Sequence, residues 1–160
     1  KTPSGKVELM PEAIRSDLQR LREALEATRT VPEFVLVGRR DLRSNNSWMH
    51  NLPILMKGRP RCTLHIHPDD ASRLTLKNGA LVRVRSSVGE VLAPAELTDS
   101  VMPGVVSLPH GFGHDRPGTA QRVATANAGV NFNLLTDASS LDRLSGNAVL
   151  NGIEVQLTPA

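Results

Sequence analysis

The hydrophobic period of this chain changes once, and that change limits what the chain can fold into. From Pro11 to near Thr28 the apolar residues recur at helical spacing. Ile14, Leu18, Leu21 and Leu25 share one face, and Arg15, Gln19, Arg22 and Glu26 turn elsewhere. Pro11 suits a first helical position, where its missing N–H would have had no partner anyway. After Pro32 the period falls to two. Residues 34–37 read as a short buried strand, Leu64 and Ile66 alternate with Thr63 and His65, and Val82 and Val84 alternate with Arg83 and Arg85. Further strands are expected over residues 90–97, 105–108 and 153–157. Residues 68–74 predict a short helix, with Pro68 at its start and Asp69 and Asp70 in its first turn, where carboxylates meet the positive end of the helix dipole. Asn78-Gly79 and Ser87-Val88-Gly89 are turns. Short strands separated by turns predict a mainly β fold closed into a small barrel, with the N-terminal amphipathic helix packed outside it. The chain divides accordingly into a linker and helix over residues 1–30 and a barrel domain over residues 31–160.

Composition narrows the function. At 160 residues there is room for one core. Aromatics make up only 2%, with no Tyr, so Val, Leu, Ile and Ala must fill that core. Of Phe34, Trp48, Phe112 and Phe132, the last three lie in stretches that read as loops, with little core to fill. A net charge of +3 suits an anionic partner, but a nucleic-acid surface would interleave aromatics with its cations. The single cysteine, Cys62, excludes an internal disulfide and any Cys-ligated zinc or iron–sulfur site within the chain; it reads as a small buried hydrophobe. No apolar run approaches the ~20 residues of a membrane span, and no signal-peptide pattern follows the start. The chain reads as part of a longer polypeptide, in the cytoplasm rather than the periplasm.

Two stretches fit no regular element: residues 38–53 and 110–146, both long, polar and rich in Asn, Ser, Gly and His. Loops beyond ~12–15 residues in a compact domain usually carry function. The first offers Arg39 and two further arginines, the run Ser44, Asn45, Asn46, Ser47 and Trp48, and then His50 and Asn51. Guanidinium forks hold phosphates, amides meet the edge of a heterocycle as donor and acceptor, and an indole stacks on its face. The second opens His110-Gly111-Phe112-Gly113 and later carries Asn131 and Asn133; its glycines let backbone approach a ligand closely. His65 and His67 share one strand face at a spacing some metal sites use, but a polar outer strand face needs no metal to explain it, and no bound transition metal is expected. No Ser–His–Asp order, P-loop or G-x-G-x-x-G stands out. The residues read as recognition without a nucleophile or base.

At these loops the chain resembles the C-terminal molybdopterin-guanine-dinucleotide-binding domain of the large molybdopterin oxidoreductases, a group that includes formate dehydrogenases, nitrate reductases and dimethyl sulfoxide reductase. The resemblance runs through nearly the whole chain: Thr2-Pro3-Ser4-Gly5-Lys6, Leu36-Val37-Gly38-Arg39 with the run from Ser44 to Asn51, His67-Pro68-Asp69-Asp70-Ala71, Met102-Pro103-Gly104, His110-Gly111-Phe112-Gly113-His114, and Asn131-Phe132-Asn133-Leu134-Leu135-Thr136 with Ser145-Gly146. No single motif is specific; the ordered set is. The resemblance implies a double-psi β-barrel covering one side of a bis-molybdopterin guanine dinucleotide, whose molybdenum or tungsten is ligated by other domains. It implies partners in upstream catalytic and iron–sulfur domains of the same polypeptide, and no turnover by this chain alone. Carried over residue by residue, it marks Asn133 first, then Arg39, Ser44, Asn45, Asn46, Ser47, Trp48, His50 and Asn51, then His110, Gly111, Phe112, Gly113 and Asn131. One departure is Asn147-Ala148-Val149-Leu150, where many relatives carry an aromatic or basic residue. Two other readings compete: a double-psi-barrel adaptor that binds a partner without enzymatic role, and a small metalloenzyme built on His65, His67 and a later His.

Overall fold

The computed structural model describes residues 2–27 and 30–160. Six strands close a barrel: β1 (Phe34–Arg39), β2 (Leu64–Ile66), β3 (Leu81–Arg85), β4 (Glu90–Leu97), β5 (Val105–Pro109) and β6 (Ile153–Pro159). Around the barrel the order is β1-β5-β2-β4-β3-β6. Two pairs are parallel, β1 with β5 and β2 with β4, and the remaining pairs are antiparallel. This is the double-psi barrel that the resemblance implied.

The alternation seen in the sequence is what fills the interior. Phe34 and Leu36 of β1, Leu64 and Ile66 of β2, and Val82 and Val84 of β3 are fully buried, and their neighbours on the same strands face outward. β4 turns Val91, Ala93 and Ala95 inward; alanines at two of these positions suit the narrow bore of a six-stranded barrel. Phe132 joins this core although it comes from a stretch that reads as loop, and so does Leu135.

Helix α2 (Pro68–Arg73) forms where the sequence predicts it, and His67 Nδ1 accepts the Asp69 backbone N–H at its start. Its two acidic residues part company. Asp69 is exposed, whereas Asp70 is buried and accepts the Gly104 N–H at 2.7 Å and Arg73 Nη2 at 2.9 Å. Asp70 thus ties α2 to the turn that launches β5.

Three expectations need correction. Helix α1 (Glu12–Glu26) forms, but none of its residues is buried, and Ile14, Leu18, Leu21 and Leu25 are exposed. The barrel core is complete without the helix, so the stripe has nothing of this domain to cover it; the expected helix end at Thr28 lies outside the described residues. The first long stretch begins later than expected, because Gly38 and Arg39 still belong to β1. The second contains helix α3 (Arg122–Ala126) and a 3-10 turn (Phe132–Leu135), besides an isolated bridge between Leu141 and Ala148. Gln121 gives α3 no side-chain cap; Asn51 does so from the other loop, its Oδ1 accepting the N–H groups of Val123 at 3.0 Å and Ala124 at 3.3 Å. A cap supplied from so far along the chain leaves no local signal.

Candidate functional site

The two long loops leave the carboxyl ends of β1 and β5. These strands are parallel neighbours in which Arg39 stands beside Pro109, so both loops start side by side at one end of the barrel. The first then coils tightly, with Ser44 Oγ donating to the Asp41 carbonyl and Met49 N–H to the Ser44 carbonyl. Asn45 and Asn46 take left-handed backbone angles, φ 43° and 62°, which asparagine tolerates better than most residues.

Asn46 is the staple between the loops. Its Oδ1 accepts from Arg40 within its own loop and from His110 Nε2 in the other, the latter at 2.8 Å. At this crossing Gly111 has φ +86°, and a Cβ there would fall 2.5 Å from the Asn46 carbonyl carbon and closer still to its oxygen. Next along, Gly113 lies against Asn131, with only 2.5 Å between a would-be Cβ and the Asn131 Cβ. Both glycines serve close approach of backbone, as expected, but what they approach is the protein itself.

Behind the staple lies an aromatic cluster. His50 is fully buried, its ring centroid 4.4 Å from Phe112 and 4.6 Å from His114. Neither of its nitrogens has a hydrogen-bond partner among the described residues. Burial holds its pKa below the ordinary histidine value, His114 adds to the effect, and Asp41 opposes it. His114 Nε2 donates to the Gly111 carbonyl at 2.9 Å. Phe112 is therefore packing against loop one, not a free ring.

Arg39 is likewise spent inside the protein. Its guanidinium donates to the carbonyls of Ser107 and Thr63, at 2.7 Å for Thr63, and to Thr63 Oγ1 at 3.1 Å. Burial lowers its pKa, and the nearby Glu96 opposes that shift. Ser44 and Asn51 are engaged too, the buried Ser44 within its own coil and the exposed Asn51 on α3. Asn131 Oδ1 accepts the Asn133 N–H at 3.0 Å and so shapes the 3-10 turn.

What remains facing outward is a smaller set. Asn45, Ser47, Trp48 and Asn133 are exposed, and among the described residues their side chains hydrogen-bond to no protein group. Trp48 is 84% exposed, an extreme value for an indole in a chain with so few aromatics. Arg40 and Arg43 add guanidinium groups only partly engaged, by Asn46 and by the Lys57 carbonyl. Sequence reasoning missed Asn151, whose Oδ1 accepts the Gly38 N–H at 2.8 Å where β1 ends and Phe132 packs; an Asn-Gly pair signals a turn and nothing more. It also left His114 out of the site.

His65 of β2 and His67 at the start of α2 join no metal-binding cluster among the described residues. His65 Nε2 lies 3.5 Å from Glu96, His67 caps α2, and His110 and His114 are engaged in the loop crossing. No cluster of three potential ligands forms among the described residues.

The structure is thus a closed barrel with two long loops stapled together over the ends of parallel strands. Comparison with known proteins identifies its family. Residues 34–154 match the family of molybdopterin dinucleotide binding domains, and the chain belongs to that family. It is 31% identical over 123 residues to the tetrathionate reductase of Salmonella typhimurium, covering 66% of this chain and 12% of that protein. It is 34% identical over 119 residues to the molybdopterin-containing subunit of the arsenate respiratory reductase of Chrysiogenes arsenatis, covering 71% of this chain and 14% of that one. Among solved structures, acetylene hydratase from Pelobacter acetylenicus superposes on 99% of the chain with a TM-score of 0.75 at 21% identity, over 24% of its own length, which supports the fold. The chain thus spans a small fraction of the relatives it matches. The adaptor and metalloenzyme readings give way to that of a molybdopterin dinucleotide binding domain. No described helix is long and apolar enough to cross a membrane.

Proposed function

We propose that this chain is the cofactor-covering part of a molybdopterin-dependent oxidoreductase, and that it binds bis-molybdopterin guanine dinucleotide through the exposed tips of its two stapled loops. Residues 31–160 form the binding unit, and residues 1–30 are a linker and helix. The observation that carries the reading is the division of labour within the loops: one group of residues holds them together, and Asn45, Ser47, Trp48 and Asn133 are left free at the surface.

The donor set fits the cofactor. Free amides at Asn45 and Asn133 can donate and accept along a pterin edge. The Trp48 indole offers a face to a flat heterocycle. Arg40 and Arg43 suit a pyrophosphate, which guanidinium forks bind bidentately. Arg39, Ser44, Asn46, His50, Asn51, His110, Gly111, Phe112, Gly113 and Asn131 act behind this set, positioning it. The bound cofactor supplies the redox-active metal centre; the residues of this chain orient the cofactor and shield it from water. Catalytic and iron–sulfur domains elsewhere in the same polypeptide complete the enzyme, with molybdenum or tungsten ligated there. A cytoplasmic setting accompanies the reading.

The test is Asn133→Ala in the full-length enzyme. Removing the amide leaves a cofactor group unpaired and costs ~1–3 kcal/mol of binding. Cofactor content and activity should both fall, while the unfolding temperature of the cofactor-free protein should hold, because the Asn133 side chain has no protein partner to lose. Full cofactor and full activity in the variant would overturn the assignment.

A further inference from the structure

We infer that a cleft on the far side of Phe112 is a socket for one aromatic side chain, carried on an acidic segment of the enzyme's own polypeptide outside this domain. The inference rests on the reading of the chain as one domain of a longer enzyme.

The cleft lies between segment 56–62 and turn 126–129 and holds about 280 Å³. That is at the lower end of the ~300–1,000 Å³ of small-molecule sites and admits one large aromatic side chain. Met56, Pro60, Cys62, Pro94 and Phe112 give it apolar walls, beside the polar groups of Arg59, Arg61 and Asn127. The packing is tight: a Cβ on Gly129 would stand 2.6 Å from the Cys62 Cβ and 2.8 Å from Phe112 Cδ1. Val130 N–H donates to Cys62 Sγ at 3.2 Å, fixing the two segments relative to each other. Phe112 also packs against the buried His50, their ring centroids 4.4 Å apart. A preformed apolar pocket of one-ring size is the usual receptor for an interface anchor residue.

The surroundings favour a protein partner over a cofactor fragment. None of Asn45, Ser47, Trp48 or Asn133 lines the cleft. The loop leading to it exposes Leu52 and Ile54, more apolar surface than a small ligand needs. Its charge is cationic. Arg59 pairs with Glu96 at 3.1 Å and Arg61 lies 3.9 Å from Asp41, which leaves Lys57, next to Met56, without a carboxylate among the described residues. An acidic segment complements that excess. The same polypeptide is the natural source, because the relatives are several times longer than the stretch they share with this chain.

The experiment places a photoreactive benzoylphenylalanine at Ala126, an exposed rim position, and separately at Met56, in the full-length enzyme. Irradiation and peptide mass spectrometry then identify what the probe reaches. The expected product is an intramolecular cross-link to a peptide in which an aromatic residue neighbours Asp or Glu. Lys57→Glu should lower its yield at least several-fold. Cross-links between two copies, cross-links to the cofactor, or no cross-link from either position would overturn the socket. Cofactor content is measured on the same preparations. Cofactor present without the cross-link sinks the socket alone, whereas the cross-link in an enzyme that never holds cofactor sinks the functional reading and leaves the socket standing.

Discussion

Gly111→Ala tests whether the loop crossing organises the site. Alanine at this position meets two penalties. The backbone sits at φ +86°, where a non-glycine residue costs on the order of 1–3 kcal/mol. The new methyl would also lie 2.5 Å from the Asn46 carbonyl carbon, against the ~3.5–4.0 Å of an ordinary carbon contact, so one loop must retreat by at least ~1 Å. Asn46 cannot retreat and keep its bonds to both Arg40 and His110, and each bond lost removes roughly 0.5–1.5 kcal/mol. Together these make about 3 kcal/mol. For a domain of this length, that is a fall of roughly 6–12 °C in unfolding temperature. Gly118→Ala is the matched control: its φ is +88°, but a Cβ there would meet nothing within 4 Å, so it bears the backbone penalty alone. Thermal unfolding followed by circular dichroism compares the two. If Gly111→Ala is no more destabilising than Gly118→Ala, the crossing is not a tight junction, and the claim that it positions Asn45 to Trp48 fails with it.

Two further outcomes follow from buried groups. Arg39→Leu should destabilise the chain by about 3 kcal/mol or more, because the carbonyls of Ser107 and Thr63 lose a buried charged donor; urea unfolding checks this, and a loss under 1 kcal/mol would contradict it. His50 should make stability fall in mild acid. Its folded pKa lies below the ordinary value near 6.5, so above that value both states are neutral and it contributes nothing to the pH dependence. Below it the unfolded chain takes a proton that the folded chain refuses, and stability drops until pH reaches the depressed folded pKa. His65, also lowered by burial, acts with the same sign, so His50→Phe should flatten the slope between about pH 6.5 and 5 without abolishing it; an unchanged slope would mean that His50 is solvated.

How much of this was legible in the sequence depends on how far each residue's partner lies along the chain. The strands and α2 were readable because alternation and an N-terminal proline are local signals. Six segments placed by apolar alternation, short apolar runs and turn signals became the six strands of the barrel, differing at their ends by at most two residues. The loops were readable as the unusual places, since length and Asn/Gly content are local as well. The role of each loop residue was not. Arg39 looked like a phosphate fork and is consumed by carbonyls of β5 and of the segment before β2; Phe112 was marked by the resemblance as a cofactor contact and packs on His50. Both depend on which strands become neighbours, and the parallel pairing of β1 with β5 is a property of the closed barrel that no window of sequence contains.

The same dependence explains why a polar loop can be so firmly placed. A loop that met its ligand through every Asn and Arg it carries would have to be ordered by that ligand, and binding would be weakened by the entropy of ordering it. Here the first loop is ordered beforehand by bonds that leave its tip free. Asn46 fastens it to His110, Asn51 fastens it to α3, and His50 fills the space between as a neutral ring. The unpartnered nitrogens of His50 are a cost of that arrangement, and its depressed pKa keeps the cost within bounds at neutral pH, since a neutral imidazole is far cheaper to bury than a charged one. Replacing residues of this inner set should therefore weaken cofactor binding and unfolding stability together, whereas replacing Asn45, Ser47, Trp48 or Asn133 should weaken binding alone.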